Sequence, residues 1–490
     1  MKINFYKNTN NFFQKIVQSY FFLLTSLVFI FSIVNFSDFT SVNLLELTLK
    51  IIFISIVIFC FFFHCKRLSD LERNIVSIFV FYVSGMLLIA SIHDVNVLFS
   101  FRIEMYWQAL VLLILFKIFY EIKISEEFYW KIFMLASITL FSVAVFSYLN
   151  GVDRAYNIAS NVNVYGKLSG FVFILYAVKL MVFEYINRKN FFVDFLLLLM
   201  AFFSLYVSET RAALIGVVLT LIIMLLFISK FRSTAFVKLL IILFLMIVVS
   251  VFLFNDFLLR ILQADVNIQR YFDGDIHSSS GYRLEMWRIS ILSFMNHPII
   301  GQGLDSFNDY IVYLQSKGLT ELPAKFGTPH NEYFHMLFSL GIVGLMLFIV
   351  LLSGQVYFLI KAVGGRNLKN TLYALIYMSL LLYIAITSLF DTSWSNKSLI
   401  YVYVISIVMS VPFIKNNSEN FFYTKIELIK KGAKVLITGR NKKKLERVAK
   451  EIGAIPYTLD MANYDNIALG YIEMKTLLGG NVDVLINNAG

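Results

Sequence analysis

The sequence predicts an all-α polytopic membrane protein with about twelve spanning helices, one large loop on the outer side, and a small partial α/β segment at the C-terminal end. Three observations carry this prediction. Of the 490 residues, 59% are hydrophobic and only 15% are charged, against about 25% charged in a soluble domain. Apolar runs of about 20 residues, the length a helix needs to cross a bilayer, recur along most of the chain. The text then changes abruptly near residue 425 into alternating short strands and charged helices. Lipid offers no hydrogen-bond partners to bare backbone, so each apolar run must be helical.

In order, the spans fall near 16–36, 47–64, 75–92, 105–120, 131–149, 164–184, 191–208, 212–229, 236–254, 333–360, 371–390 and 398–414. The first is too long for a cleavable signal peptide, and Asn35, Phe36 and Ser37 do not form a small-residue cleavage site. Cys60 and Cys65 share one span and point to different faces of it, which argues against a disulfide and for two small packing residues.

Lys and Arg set the orientation. Lys2, Lys7 and Lys15 precede the first span. Alternate connectors carry Lys66, Arg67 and Arg73; Lys117, Lys123 and Lys131; Arg188 and Lys189; Lys230, Arg232 and Lys238; and Lys361, Arg366 and Lys369. The remaining short connectors hold mainly Arg102, Arg154, Arg211 and Lys397. This asymmetry puts both termini in the cytoplasm. It also accounts for the net charge of +11 without a nucleic-acid partner, because the cations sit in connectors and form no basic face.

The connector 255–331 follows an odd number of crossings and lies outside. A loop this long is either functional or disordered, and its patterned segments favour function. Leu284, Trp287, Ile291 and Phe294 fall at helical spacing and predict an amphipathic helix over 281–296, ended by His297 and Pro298, that rests on the membrane surface or caps the bundle.

The outer connectors also gather the polar residues: Asp153, Arg154, Asn161 and Asn163; Ser208 to Arg211; Arg283 and Arg288; Gly301 to Gly303; Pro329 to Glu332; and Asp391, Ser393 and Lys397. Polar groups at membrane level are functional candidates. Arg211 suits either a snorkelling arginine that marks the interface or a forked clamp on phosphate. Arg283 and Arg288 stand roughly 140° apart on a helix, so one ligand cannot engage both and one of them takes a solvated face. Thr328 as N-cap and Pro329 at the first helical position place His330 in the first turn of the tenth span. A histidine there is either a plain helix-start residue or a neutral imidazole able to accept a proton. His335 reads as packing. Gly301-x-Gly303 reads as a turn, because no strand precedes it. No metal-ligand spacing occurs, and neither a metal nor a cofactor is expected.

At these residues the chain resembles the O-antigen ligase and polymerase family. The resemblance lies in Ser208-Glu209-Thr210-Arg211-Ala212-Ala213, Tyr282-Arg283-Leu284-Glu285-Met286-Trp287, His297-Pro298-Ile299-Ile300-Gly301-Gln302-Gly303, Pro329-His330-Asn331-Glu332-Tyr333-Phe334 and Leu340-Gly341-Ile342-Val343-Gly344. Their order around one outer loop is more specific than any one of them, and the resemblance covers roughly residues 15–414. It implies a metal-independent glycosyltransferase of the bacterial inner membrane, acting on its periplasmic face in surface polysaccharide synthesis. The donor would be a glycan on undecaprenyl pyrophosphate, and the acceptor a lipid A-core sugar or the end of another glycan. Carried over, the catalytic residues are His330, Arg211 and Arg283, with Arg154, Arg288 and Asn331 binding substrate. A flippase or other transporter is the rival. It would carry ionisable residues in several spans or show related halves, whereas here the polar weight lies in one outer loop.

The domain reading is then a membrane enzyme over 1–415, a linker over 416–424 and a second segment over 425–490. In that segment 434–438 and 482–486 read as strands and 441–452 as a charged helix. Lys434 to Arg440, Asp460 and Asp483 to Gly490 resemble the middle of a short-chain dehydrogenase/reductase. The first strand with its glycine-rich turn and the Ser/Tyr/Lys catalytic set are absent, so the resemblance implies a truncated fragment without a complete dinucleotide site.

Overall fold

The computed structural model describes residues 18–28, 30–32, 69–93, 115–116, 124–151, 161–182, 188–228, 237–238, 240–242, 266–363, 368–414, 432–439, 441–459 and 464–480. The chain divides into two compact units, Met1–Ile414 and Lys415–Gly490.

The first unit is a helical bundle. Its helices are α1 (Asp70–His93), α2 (Glu126–Leu149), α3 (Val162–Val182), α4 (Arg188–Val207), α5 (Arg211–Ile228), α6 (Ser279–Asn296), α7 (Phe307–Ser316), α8 (Glu332–Val363), α9 (Leu368–Thr387) and α10 (Lys397–Ser410). Six helices among the described residues are long and apolar enough to cross a membrane: α1, α2, α3, α4, α5 and α8. Gln18–Ser32, Thr371–Thr387 and Lys397–Phe413 are shorter apolar helices. The spans expected at 47–64, 105–120 and 236–254 lie wholly or largely outside the described residues.

Side-chain caps start several of these helices. Ser125 accepts from Phe128 N–H at α2, Ser278 from Gly281 N–H at α6, and Asn396 from Leu399 N–H at α10. Each satisfies a donor that the first helical turn leaves open. Helices α3 and α10 are buried almost all round, as is the described length of α9. The surrounding helices present one apolar stripe outward. On α5 that stripe is Ile215, Leu219, Ile222 and Leu226, at one-turn intervals and exposed. An outward leucine and isoleucine stripe is unfavourable in water and natural against lipid. This is a multi-pass membrane protein.

Helix α8 is broken at Gly341, whose φ of 64° lies in the left-handed region. A Cβ there would run into the Ile299 carbonyl. The segment 297–303 fills the break. Gln302 and Gly303 N–H donate to the Phe338 and Ser339 carbonyls (2.8 and 3.0 Å), and Ile342 N–H donates to the Pro298 carbonyl (2.8 Å). These bonds give partners to backbone groups that the break would otherwise leave open. Gly301-x-Gly303 is a turn, and its task is to seal this helix.

Helices α6 and α7 form a small layer joined to α8. Met286 and Ile289 of α6 pack with Phe307, Tyr310, Ile311 and Leu314 of α7 and with Phe338 of α8. The helix expected at 281–296 is present, but its buried face is not the expected stripe. Ile291 is exposed, while Glu285, Met286, Ile289, Ser290 and Ser293 are buried. The reason is tertiary: α7 and α8 cover the Met286 side, and Leu284 and Phe294 remain half-buried beside it.

The second unit pairs β1 (Leu436–Gly439) in parallel with β2 (Ile455–Thr458), with Leu436 opposite Ile455. Helix α11 (Lys442–Ile452) links them, and α12 (Tyr464–Leu478) follows. Ile437, Leu445 and Ala449 form its small core. The expected strand at 482–486 lies outside the described residues.

Candidate active site

The end of the bundle where α8 begins holds a chain of buried charges. Lys167, on the second turn of α3, is 1% exposed. Its Nζ lies 2.6 Å from Asp391 Oδ2, in the connector between α9 and α10. Asp391 Oδ1 lies 2.9 Å from His330 Nδ1. An ionised carboxylate only accepts, so His330 donates through Nδ1, and its neutral form carries the free lone pair on Nε2. The His330 side chain is 35% exposed and so reaches the surface. Burial alone pushes the Asp391 carboxyl up. The Lys167 charge and the His330 hydrogen bond outweigh it and hold Asp391 well below the usual carboxylate range.

His330 does not sit in the first turn of α8 as its sequence context predicts. The helix begins at Glu332, and Asn331 provides the cap: its Oδ1 accepts from the N–H groups of Tyr333 (2.9 Å) and Phe334 (3.1 Å). Asn331 Nδ2 donates to the Leu389 carbonyl. Pro329 precedes the cap, and its carbonyl accepts from Trp287 Nε1. A cap three residues later than expected leaves His330 outside the helix with φ of 49°. That region is uncommon for a non-glycine residue, and such strain gathers at functional sites.

One aromatic ring meets the imidazole, and a second pair stacks beside the start of α8. Phe326 lies edge-to-face with His330 at 6.1 Å, and Trp287 stacks on Phe334 at 5.5 Å. Glu332, fully buried, accepts from the N–H groups of Trp394 and Ser395 and from the Ser395 hydroxyl. This fixes the connector that carries Asp391.

Arg283, on α6, lies within electrostatic reach of Lys167, as Glu332 does. Arg211 opens α5 after the three-residue turn 208–210, in which Glu209 has φ of 50°. The Thr210 hydroxyl donates to the Val162 carbonyl at the start of α3 (3.2 Å). The same turn packs on Gly166, where a Cβ would strike Thr210 and Ser208. The turn that carries Arg211 therefore rests one residue from Lys167. Arg288 faces elsewhere: its guanidinium makes a fork with Glu285 (2.8 and 2.6 Å) and donates to the Leu319 carbonyl. Glu285 also accepts from Thr320 and Tyr271. Burial pushes its carboxyl up, but the Arg288 and Thr320 hydrogen bonds prevail and hold it below its ordinary value. Arg154 lies outside the described residues. Among the described residues no cluster of His, Cys, Asp or Glu has a metal-holding arrangement.

The structure thus joins His330 to Asp391 and Lys167. Sequence reasoning left Asp391 as one polar residue among many and passed over Lys167. The signal was there: a lysine inside an apolar span needs a partner.

Residues 195–349 match the O-antigen ligase family profile, and residues 423–490 match that of the short chain dehydrogenases. The first match contains Arg211, Arg283 and His330 and supports a role in O-antigen or polysaccharide assembly. The chain is also similar to an uncharacterized protein of Haemophilus influenzae, 26% identical over 95 residues, which are 19% of this chain and 24% of that protein. The similarity thus spans about a quarter of that relative's length.

Proposed function

We propose that this chain transfers a glycan from undecaprenyl pyrophosphate to an acceptor sugar on the periplasmic face of the bacterial inner membrane. The acceptor is a lipid A-core sugar or the end of a growing glycan. Both termini are then cytoplasmic, and residues 255–331 are periplasmic. The observation that carries this reading is His330, half-exposed at the end of an apolar bundle and held through Nδ1 by a buried carboxylate.

The acceptor hydroxyl oxygen attacks the anomeric carbon of the donor's linking sugar and gives its proton to His330 Nε2. The bond from that carbon to the pyrophosphate oxygen breaks, and undecaprenyl pyrophosphate departs with the electron pair. Arg211 and Arg283 take the negative charge that grows on the leaving group, because fixed guanidinium groups suit phosphate oxygens. Arg154 extends this binding surface, while Arg288 and Asn331 hold the loop and the start of α8 around the substrate. The fixed arginines fill the place of a divalent cation, so chelation is expected to leave transfer unchanged.

Transfer from a lipid-linked donor, measured in membranes that contain the chain, tests the reading. Transfer that requires the chain supports it. Its absence, or a cytoplasmic signal from a reporter fused at residue 275, overturns it. The lipopolysaccharide bands of a deletion strain separate the two acceptors: loss of all capped chains means core, and single-repeat caps mean glycan ends.

A further inference from the structure

Lys167 is a costly residue in its setting. It lies on the second turn of an apolar helix that is buried almost all round. A lysine there persists only with a partner and a purpose. Its position is fixed from three sides. The Tyr383 hydroxyl of α9 donates to the Lys167 carbonyl (3.1 Å), the 208–210 turn closes over Gly166, and the ammonium meets Asp391. Lys167 and Asp391 both fall outside the region matched to the family profile.

Ionisable groups from four elements meet here: Lys167 from α3, Arg283 from α6, Asp391 from the α9–α10 connector and Glu332 from α8. Glu332 is occupied by the Trp394 and Ser395 donors. Asp391 divides its two oxygens between the Lys167 ammonium and the His330 imidazole. Without Lys167 the Asp391 carboxylate would lose its ammonium in a low-dielectric setting, and the titratable group bonded to it is the imidazole.

We infer that Lys167 is a positioning residue of this site: its buried ammonium stands in for the proton that the Asp391–His330 pair would otherwise bind, which keeps His330 a neutral proton acceptor. The inference rests on the proposed role of His330. It gives the lysine an action on proton occupancy, beyond holding two helices together.

Two readouts test it. The first is the pH profile of transfer in membranes with matched amounts of wild-type protein and Lys167→Met. The acid limb of the variant is expected to move upward, with about tenfold less transfer at neutral pH for each unit of displacement and recovery in alkali. A loss that is uniform across pH overturns the inference. The second readout needs no activity: the pH midpoint for diethyl pyrocarbonate modification of His330, with His330→Gln as the blank. That midpoint is expected to rise in Lys167→Met, and an unmoved midpoint overturns the inference. If wild-type protein transfers nothing while the midpoint still rises, the proposed reaction fails and the Lys167 assignment stands. If Lys167→Met does not accumulate, Asp391→Asn is compared with the Lys167→Met/Asp391→Asn double variant. The midpoint is expected to be higher in the double variant, and equal midpoints overturn the inference.

Discussion

Helix α3 carries two buried lysine–aspartate pairs, and they differ in what the rest of each pair touches. Lys167 Nζ and Lys179 Nζ lie 2.6 and 2.8 Å from the carboxylates of Asp391 and Asp194. The lysines are about 18 Å apart along the helix. Asp194 belongs to α4, and Lys179 also sits over the Trp130 ring of α2 at 3.6 Å. That pair ties three helices together and buries its cation against an indole. Asp391 belongs to a connector, and its second oxygen holds a histidine that reaches the surface. Similar ion pairs thus serve different ends. One joins helices to one another, and the other passes its charge to a group that can exchange a proton.

The comparison breaks most sharply at His330. Loss of a well-placed proton acceptor typically costs roughly 10²–10⁴ in rate, and His330→Ala and Asp391→Asn are expected to lose transfer on that scale with normal membrane insertion. Glycan transfer at matched protein levels measures this, and near-normal rates for His330→Ala would remove the acceptor role. Next come Arg211→Lys and Arg283→Lys. Each keeps its charge but loses the fork, so a loss of about tenfold is expected, equivalent to about 1.4 kcal/mol of charge stabilisation. If Arg288→Ala is as damaging as Arg283→Ala, the wrong arginine has been assigned.

The Lys179–Asp194 pair should respond in stability and hardly at all in rate. Removal of one partner of a buried pair typically costs about 3–5 kcal/mol. Lys179→Met is therefore expected to unfold at a lower temperature in detergent, while transfer per folded molecule stays within about twofold. The double variant Lys179→Met/Asp194→Leu should regain most of that stability, because replacing both charges is often neutral. A rate loss as large as that of Asp391→Asn would erase the distinction between the two pairs.

A smaller effect is expected at α6. The native Glu285 carboxyl ionises below its unfolded value, so the unfolded loop binds more protons. The stabilisation is then fully present above about pH 4.3 and is lost as the pH falls through the lowered native value. Protease susceptibility of the 266–331 layer should rise on such acidification and change little between pH 6 and 8. The smallest effect is expected at the tail. Truncation after Asn417 should leave transfer intact, since no step of the proposed reaction uses β1, β2, α11 or α12. Loss of transfer at equal protein levels would give the tail a role.

Much of the bundle was legible because spanning helices follow from composition alone: apolar runs such as 131–149 and 212–229 coincide with α2 and α5. Arg211, Arg283 and His330 enter the proposed site from motif order. The start of α8 was misread because Thr328-Pro329 and Asn331 both offer helix-start chemistry, and only the packed structure shows which cap engages the open N–H groups. The buried face of α6 was misread because periodicity gives a stripe without saying which neighbour covers it. In the tail, β2 escaped notice because it is short and contains Pro456, which weakens any strand pattern.

By itself, then, the sequence determined that this chain is a set of lipid-soluble helices with a long polar loop, since burial of apolar surface and satisfaction of the backbone are local demands. It also determined which arginines and which histidine stand near the ends of those helices. Only the tertiary structure decided that Lys167, Asp391 and His330 form one chain, although they lie far apart in sequence. It likewise decided that the 297–303 turn seals the break at Gly341. Both are long-range pairings, in which a buried charge or an open backbone group must find a partner wherever the fold brings one within about 3 Å.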